Sequence, residues 1–117
     1  MSIRRIGVGP RMSQAVVHGD TVYLAGQVAS QAAGKSVTEQ TREILAAIDT
    51  LLAEAGSDKT RLLSTTIYLA DMATFAEMNA VWEAWVAPGA TPARATVEAK
   101  LAAPSYTVEI VCVAAKS

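Results

Sequence analysis

Glu109 is the residue whose setting asks for an explanation. It lies in Val108-Glu109-Ile110-Val111-Cys112-Val113, a stretch in which both alternating faces of a strand are apolar. A carboxylate desolvated there without a partner is costly. Arg94, in Pro92-Ala93-Arg94-Ala95-Thr96-Val97, is the nearest cation that strand pairing could bring close, and a guanidinium keeps its charge at any ordinary pH. Two uses of such a pair are open. One is structural: an ion pair, or partners met across a subunit interface. The other is chemical: the guanidinium holds a substrate carboxylate through two parallel hydrogen bonds, while a carboxylate of raised pKa takes a proton from water attacking a neighbouring carbon.

The elements that must position these groups follow from turn signals and periodicity. Strands at about 94–101 and 106–114 flank Ala102-Ala103-Pro104-Ser105, where proline cannot donate to a ladder and favours a turn, so they are expected to pair as a hairpin. With a four-residue turn, Arg94 faces Val113 and shares a sheet face with Thr96, Glu98 and Glu109. Arg94 and Glu109 are then about 13 Å apart along the sheet, leaving room for a small molecule between their heads. A three-residue turn puts them on opposite faces.

Upstream, Ala15-Val16-Val17-His18 and Thr21-Val22-Tyr23-Leu24-Ala25 read as a hairpin around the turn Gly19-Asp20. Ser36-Val37-Thr38-Glu39 is a capping-box signal, and Ile44, Leu45, Ile48, Leu51, Leu52 and Ala55 form a helical stripe closed by Gly56. This predicts a helix over about 37–55. Between Arg61 and Leu69, the residues Leu63, Thr65, Ile67 and Leu69 alternate with Ser64, Thr66 and Tyr68, the period of a strand. Asp71 is placed to cap a second helix whose Phe75, Met78, Trp82 and Trp85 share a face, ended by Pro88-Gly89. Such a stripe is the ordinary signature of core packing. The order hairpin, helix, strand, helix, hairpin gives an α+β fold with two helices packed on one face of a sheet, in a single domain spanning 1–117. The other face carries Val111 and Val113 and calls for a subunit interface to cover it.

Other polar residues offer less. His18 has no second histidine or cysteine at ligand spacing, so no metal site is expected. Ser13 and Ser105 lack a histidine in any nucleophile arrangement. Gly7-Val8-Gly9 is too short for a phosphate-binding loop. Asn79 flanks the apolar helix stripe, where a lone polar residue ordinarily faces solvent. Cys112, the single cysteine, cannot form an internal disulfide and reads as a small core residue.

Ten Lys and Arg against eleven Asp and Glu leave a formal charge of −1, which argues against nucleic acid as a main partner. No apolar stretch approaches the roughly 20 residues needed to cross a bilayer, and Met1-Ser2-Ile3-Arg4-Arg5 leads into no signal-type segment, so no membrane association and a cytoplasmic location are expected.

The stretch Thr91-Pro92-Ala93-Arg94-Ala95-Thr96-Val97-Glu98-Ala99-Lys100-Leu101, followed by Val108-Glu109-Ile110, resembles the C-terminal signature of the RidA (YjgF) family of imine and enamine deaminases. Similarity extends through Tyr23-Leu24-Ala25-Gly26-Gln27, Thr66-Ile67-Tyr68-Leu69-Ala70-Asp71 and Phe75-Ala76-Glu77-Met78-Asn79, and is strongest to YoaB-like members. The resemblance implies a chorismate-mutase-like fold, a homotrimer with three sites in clefts between subunits, and neither metal nor organic cofactor. It implies that Arg94 holds a substrate carboxylate and that Glu109 positions the hydrolytic water. It also implies ligand contacts at Thr96, where many relatives have cysteine and the backbone is the contact, at Asn79 near the cleft, and in the glycine loop at Gly26. One departure stands out: where many deaminating relatives carry a tyrosine in the N-terminal segment that closes the site, the matching position here is Met12. The helix-to-strand loop and the segment 87–91 are also short.

The activity implied is hydrolysis of a 2-imino acid, or its enamine tautomer, to the 2-keto acid and ammonia, as in a 2-iminobutanoate/2-iminopropanoate-type deaminase. An imine is already electrophilic, so the protein has mainly to position substrate and water and to manage a proton, which suits a cofactor-free cleft. The competing expectation is a binding or regulatory module that retains small carboxylates in the same cleft without turnover, favoured by the missing tyrosine. A chorismate-mutase activity has fold analogy alone behind it, and one arginine is little for a dicarboxylate.

Overall fold

A computed structural model describes all residues, 1–117. The strands are β1 (Ile3–Ile6), β2 (Ala15–His18), β3 (Thr21–Leu24), β4 (Leu62–Leu69), β5 (Ala93–Glu98) and β6 (Val108–Ala115), and the helices are α1 (Val37–Glu54) and α2 (Phe75–Trp85). They form one six-stranded sheet in the order β1-β2-β3-β6-β4-β5. The expected hairpin of β2 and β3 is present, with Val16 opposite Tyr23 and Val17 opposite Val22.

The expected hairpin of β5 and β6 is not. Strand β6 inserts between β3 and β4, antiparallel to both, while β5 lies beyond β4 and runs parallel to it. The turn at 102–105 exists, but the loop that holds it carries the chain across the end of β4, where the Ala70 N–H donates to Thr107 O and the Ala99 N–H to Leu69 O. The physical reason lies in composition. Strand β6 is apolar on both faces and fits the interior of a sheet. Strand β5, with Arg94 and Glu98 exposed, is suited to an edge. A parallel β4–β5 pair needs a crossover, and α2 supplies it.

Helix α1 starts on the expected capping box: the Glu39 N–H donates to Ser36 Oγ at 3.1 Å and the Ser36 N–H to Glu39 Oε2 at 3.3 Å. It ends at Gly56, whose φ of 81° is the left-handed conformation that glycine adopts without steric cost. Its buried residues Ile44, Leu45, Ile48 and Leu52 lie over the sheet face made by Val22, Leu24, Ile67, Leu69, Val108, Ile110, Cys112 and Ala114. Helix α2 packs beside α1 on that same face, contributing Met78 and Trp82 to the core. Glu77 of α2 fastens the pair by accepting from the Thr38 N–H at 2.8 Å and the Thr38 hydroxyl at 2.9 Å.

Three local expectations are corrected. Strand β4 carries an irregularity between Leu62 and Ser64, so Leu62 takes the buried place and Leu63 turns outward. Asp71 caps a 3₁₀ turn, Met72–Thr74, that precedes α2, its carboxylate accepting from the Ala73 N–H at 2.9 Å. Phe75 does not join Met78 and Trp82 in the core but stays 40% exposed. Strand β1, which pairs with β2 at the edge opposite β5, is short, exposed and without a periodic signal.

The second sheet face is bare. Tyr23 and Val97 are exposed on it, and Tyr68, Val111 and Val113 are half-buried. No helix of the structure is long and apolar enough to cross a membrane.

Candidate functional site

The expected site residues form two groups on opposite sides of the sheet. In β6, Val108, Ile110, Cys112 and Ala114 face the helices, so Glu109 faces the bare side. Arg94 stands in register with Thr65, which is buried on the helix side and shares a 3.4 Å hydrogen-bond contact with Cys112 Sγ. Arg94 therefore belongs to the helix face. The shared face that a β5–β6 hairpin would give is ruled out by the β4 strand between them. Glu109 pairs with Tyr68 and Arg94 with Thr65, which puts their backbones about 14 Å apart, with the side chains diverging through the sheet. The two cannot neutralise each other within one chain, and that removes the intramolecular ion pair as an account of either.

The Arg94 group is built on α2. Phe75, Asn79 and Trp82 stand at i, i+4 and i+7, one face of the helix, and all three meet the guanidinium. Arg94 Nη1 donates to Asn79 Oδ1 at 2.8 Å, and the guanidinium carbon lies 5.8 Å from the Phe75 ring centre and 5.6 Å from that of Trp82. These are cation–π distances. Asn79 is thus half-buried and engaged, not the solvent-facing residue that its position suggested. Thr96, two residues along the same face of β5 and paired with Ile67, has a buried hydroxyl without a hydrogen-bond partner. Every contact that holds the Arg94 guanidinium is neutral, so its charge remains available to an anion.

The Glu109 group is built on the β3 exit. The Gln27 N–H donates to Ile110 O at 2.9 Å and the Ile110 N–H to Gln27 O at 3.1 Å, which draws the Ala25–Gln27 segment against β6. Gly26 then lies directly on the Glu109 side chain. A Cβ at position 26 would come within 3.0 Å of Glu109 Cδ and closer still to Oε2. The backbone angle does not call for glycine here, since φ is not positive; what glycine permits is the present position of the Glu109 carboxylate, which a Cβ would displace. The Gln27 side chain donates to Gln14 Oε1 at 3.2 Å and to Ala25 O at 3.0 Å, connecting this group to the N-terminal segment. Met12 is 54% exposed in that segment, in a turn closed by the Gly9 N–H on Met12 O at 2.8 Å.

Sequence reasoning named Arg94, Glu109, Thr96, Asn79 and Gly26 as candidates and treated Phe75 and Trp82 as packing; Trp82 is indeed in the core, but both rings also face the guanidinium. The i, i+4, i+7 spacing around Asn79 was the available signal for them. The concavities of the chain lie elsewhere: the largest, about 490 Å³, is formed by Ala70, Glu98 and the loop 99–106.

The family model described as Endoribonuclease L-PSP matches residues 3–116. The chain belongs to this family, the RutC/YjgF proteins. It is similar to a RutC family protein of Haemophilus influenzae, 46% identical over 97% of this chain and 98% of that one. It is also 45% identical to the RutC family protein YoaB of Escherichia coli, over 98% and 99% of the two chains. Among solved structures, a YjgF family member from Neisseria meningitidis superposes with a TM-score of 0.97 at 51% identity, covering 100% of this chain and 97% of that one. The resemblance read from the C-terminal signature is therefore borne out, and the α+β sheet with two helices on one face is the fold of the RutC/YjgF family.

Proposed function

We propose that the protein hydrolyses 2-imino acids and their enamine tautomers to 2-keto acids and ammonia, in clefts formed where the Arg94 face of one copy meets the Glu109 face of the next. The single observation that carries this is the separation of Arg94 and Glu109 by the thickness of the sheet, with each charge left unneutralised by its own chain. Two copies bring the groups together by burying the bare sheet face with Tyr23, Tyr68, Val97, Val111 and Val113. Repeated head-to-tail, such a contact closes a ring, and the family resemblance implies three copies in it, a homotrimer with three equivalent sites.

In the cleft, Arg94 takes the substrate carboxylate bidentately, with the β5 backbone at Thr96 and the Asn79 side chain at its margin. Glu109 holds a water against the imine carbon and accepts one of its protons as the C–O bond forms and the C=N π pair moves to nitrogen. The same carboxyl returns that proton to nitrogen, giving the carbinolamine. It then takes the hydroxyl proton as the carbonyl forms and passes it to the departing nitrogen, so ammonia leaves with one water consumed and no redox step. Gly26 gives the Glu109 carboxylate space to approach. The enzyme needs only orientation and a proton shuttle, effects that together supply several powers of ten.

Met12 in the N-terminal segment supports a second reading, a carboxylate-binding module without turnover. The experiment that separates them generates imines with an amino-acid oxidase and follows their loss. Accelerated loss that Glu109→Gln largely abolishes, with 2-keto acid binding retained, is expected. Binding without acceleration over buffer, across several amino acids, would leave only the module. The family model's description as an endoribonuclease is the less favoured activity, because a net charge of −1 gives the chain no overall attraction to a polyanion.

A further inference from the structure

We infer that Asn79 acts through Arg94, not on the substrate: together with Phe75 and Trp82 it forms a cradle that fixes one edge of the guanidinium and leaves the other edge for a carboxylate. This rests on the proposal that Arg94 binds the substrate carboxylate.

An arginine on an exposed edge strand would ordinarily sample many rotamers. Here Asn79 Oδ1 takes an Nη1 hydrogen at 2.8 Å, and two rings on the same helix face lie within 6 Å of the guanidinium carbon. Trp82 is itself nearly buried, 5% exposed, so the cradle stands on the core. A guanidinium has five N–H donors in a planar fork. One hydrogen committed to Asn79 sets the rotation of that plane, and the uncommitted donors still allow a two-bond contact with a carboxylate. The amide is chemically apt for this. Its oxygen accepts the hydrogen bond without cancelling the charge, whereas a carboxylate at position 79 would close on Arg94 as a permanent ion pair and compete with the substrate for it.

That difference gives a test whose order of outcomes is opposite for a packing role. Asp is the nearer isostere of Asn, so if position 79 serves packing alone, Asn79→Asp is harmless and Asn79→Ala the more damaging. The cradle predicts the reverse. Titration with 2-oxobutanoate by calorimetry should show binding weakened roughly 2- to 10-fold in Asn79→Ala, which loses the alignment of the fork but leaves its charge free, and roughly 10- to 150-fold in Asn79→Asp, where the substrate must displace a charged hydrogen bond. In the oxidase-coupled assay the Asn79→Asp loss should fall mainly in KM. Phe75→Leu provides a second variant that is safe for folding, because Phe75 is half-exposed, and should weaken binding roughly 2- to 5-fold through the lost cation–π contact. Asn79→Asp binding 2-oxobutanoate as tightly as the unsubstituted protein or Asn79→Ala would overturn the cradle, as would an unchanged affinity in Phe75→Leu if the Asn79 variants fail to fold. Arg94→Ala is the separate control: if it still binds 2-oxobutanoate normally, the proposed function itself fails, whereas Arg94→Ala losing binding while the Asn79 variants keep it rejects the cradle alone.

Discussion

Arg94 and Glu109 project from opposite faces of one sheet, two strands apart and three residues out of register. A site that needs both must take them from different copies, and this is directly testable by complementation. Arg94→Ala and Glu109→Gln should each be inactive alone. Reassembled together at equal amounts, each interface has a one-half chance of an intact Arg94 and a one-half chance of an intact Glu109, so about a quarter of the activity should return for a closed ring. Mixed assemblies as inactive as their parents would rule out a shared site.

Removing the Arg94 side chain should cost little stability. Its contacts are an amide and two rings, so truncation strands no buried carboxylate. Arg94→Ala should shift the unfolding free energy by about 1 kcal/mol or less, in contrast to the roughly 3–5 kcal/mol that breaking a buried ion pair costs. Arg94→Lys should melt with the parent protein yet bind 2-keto acids more weakly, because a point charge cannot form the two-bond fork. Denaturant titrations measure the first and calorimetry the second.

Gly26→Ala places a methyl group where the Glu109 carboxylate lies. The side chain must shift, and a displacement of about 1 Å of a catalytic group costs on the order of 10²-fold in rate. The loss should fall in kcat, with keto-acid affinity nearly intact, because the Arg94 that holds the carboxylate in that cleft is supplied by the neighbouring copy, whose β5–α2 cradle the substitution does not touch. Equal losses in affinity and rate would show that the substitution disturbs the whole assembly.

The proposed three-membered ring predicts the solution mass, and the bare sheet face is the surface it would bury. Light scattering should give three times the chain's 12.2 kDa, and Val111→Lys, which sets a charge at the centre of that face, should lower the mass and abolish activity together. A monomer of 12.2 kDa with full activity would separate function from assembly.

Burial pushes the Cys112 thiol from its ordinary 9.0 up to about 11, partly opposed by the contact with Thr65. The folded state therefore holds a proton that the unfolded chain gives up first. Stability owed to this group is whole below pH 9.0 and declines as pH rises toward 11, by up to about 1.4 kcal/mol per pH unit. Cys112→Ala should melt with a shallower loss over that alkaline window. An identical pH dependence in the two proteins would assign the loss to other groups. Thiol reagents at neutral pH should label native Cys112 only slowly.

The local elements were legible from short spacings alone. Ser36 and Glu39 announce α1 because capping depends on groups three residues apart, and Gly19-Asp20 joins β2 to β3 because a two-residue turn leaves no other partner. Glu109 was likewise visible as a charge out of keeping with its apolar surroundings, and Arg94 as the nearest candidate cation and the arginine of the family signature. What the chain order did not reveal was which strands meet. A proline turn between β5 and β6 reads as a hairpin locally, but the doubly apolar β6 gains more by burying both faces between β3 and β4, and β5 reaches β4 by the α2 crossover. That one topological choice decided which face each charge occupies. It also put the i, i+4, i+7 face of α2 against Arg94, turning two residues of a packing stripe into a guanidinium support. Side-chain type and local geometry are set by neighbours in sequence. Strand order is set by the burial of whole surfaces, and only the folded sheet could show that Arg94 and Glu109 point away from each other.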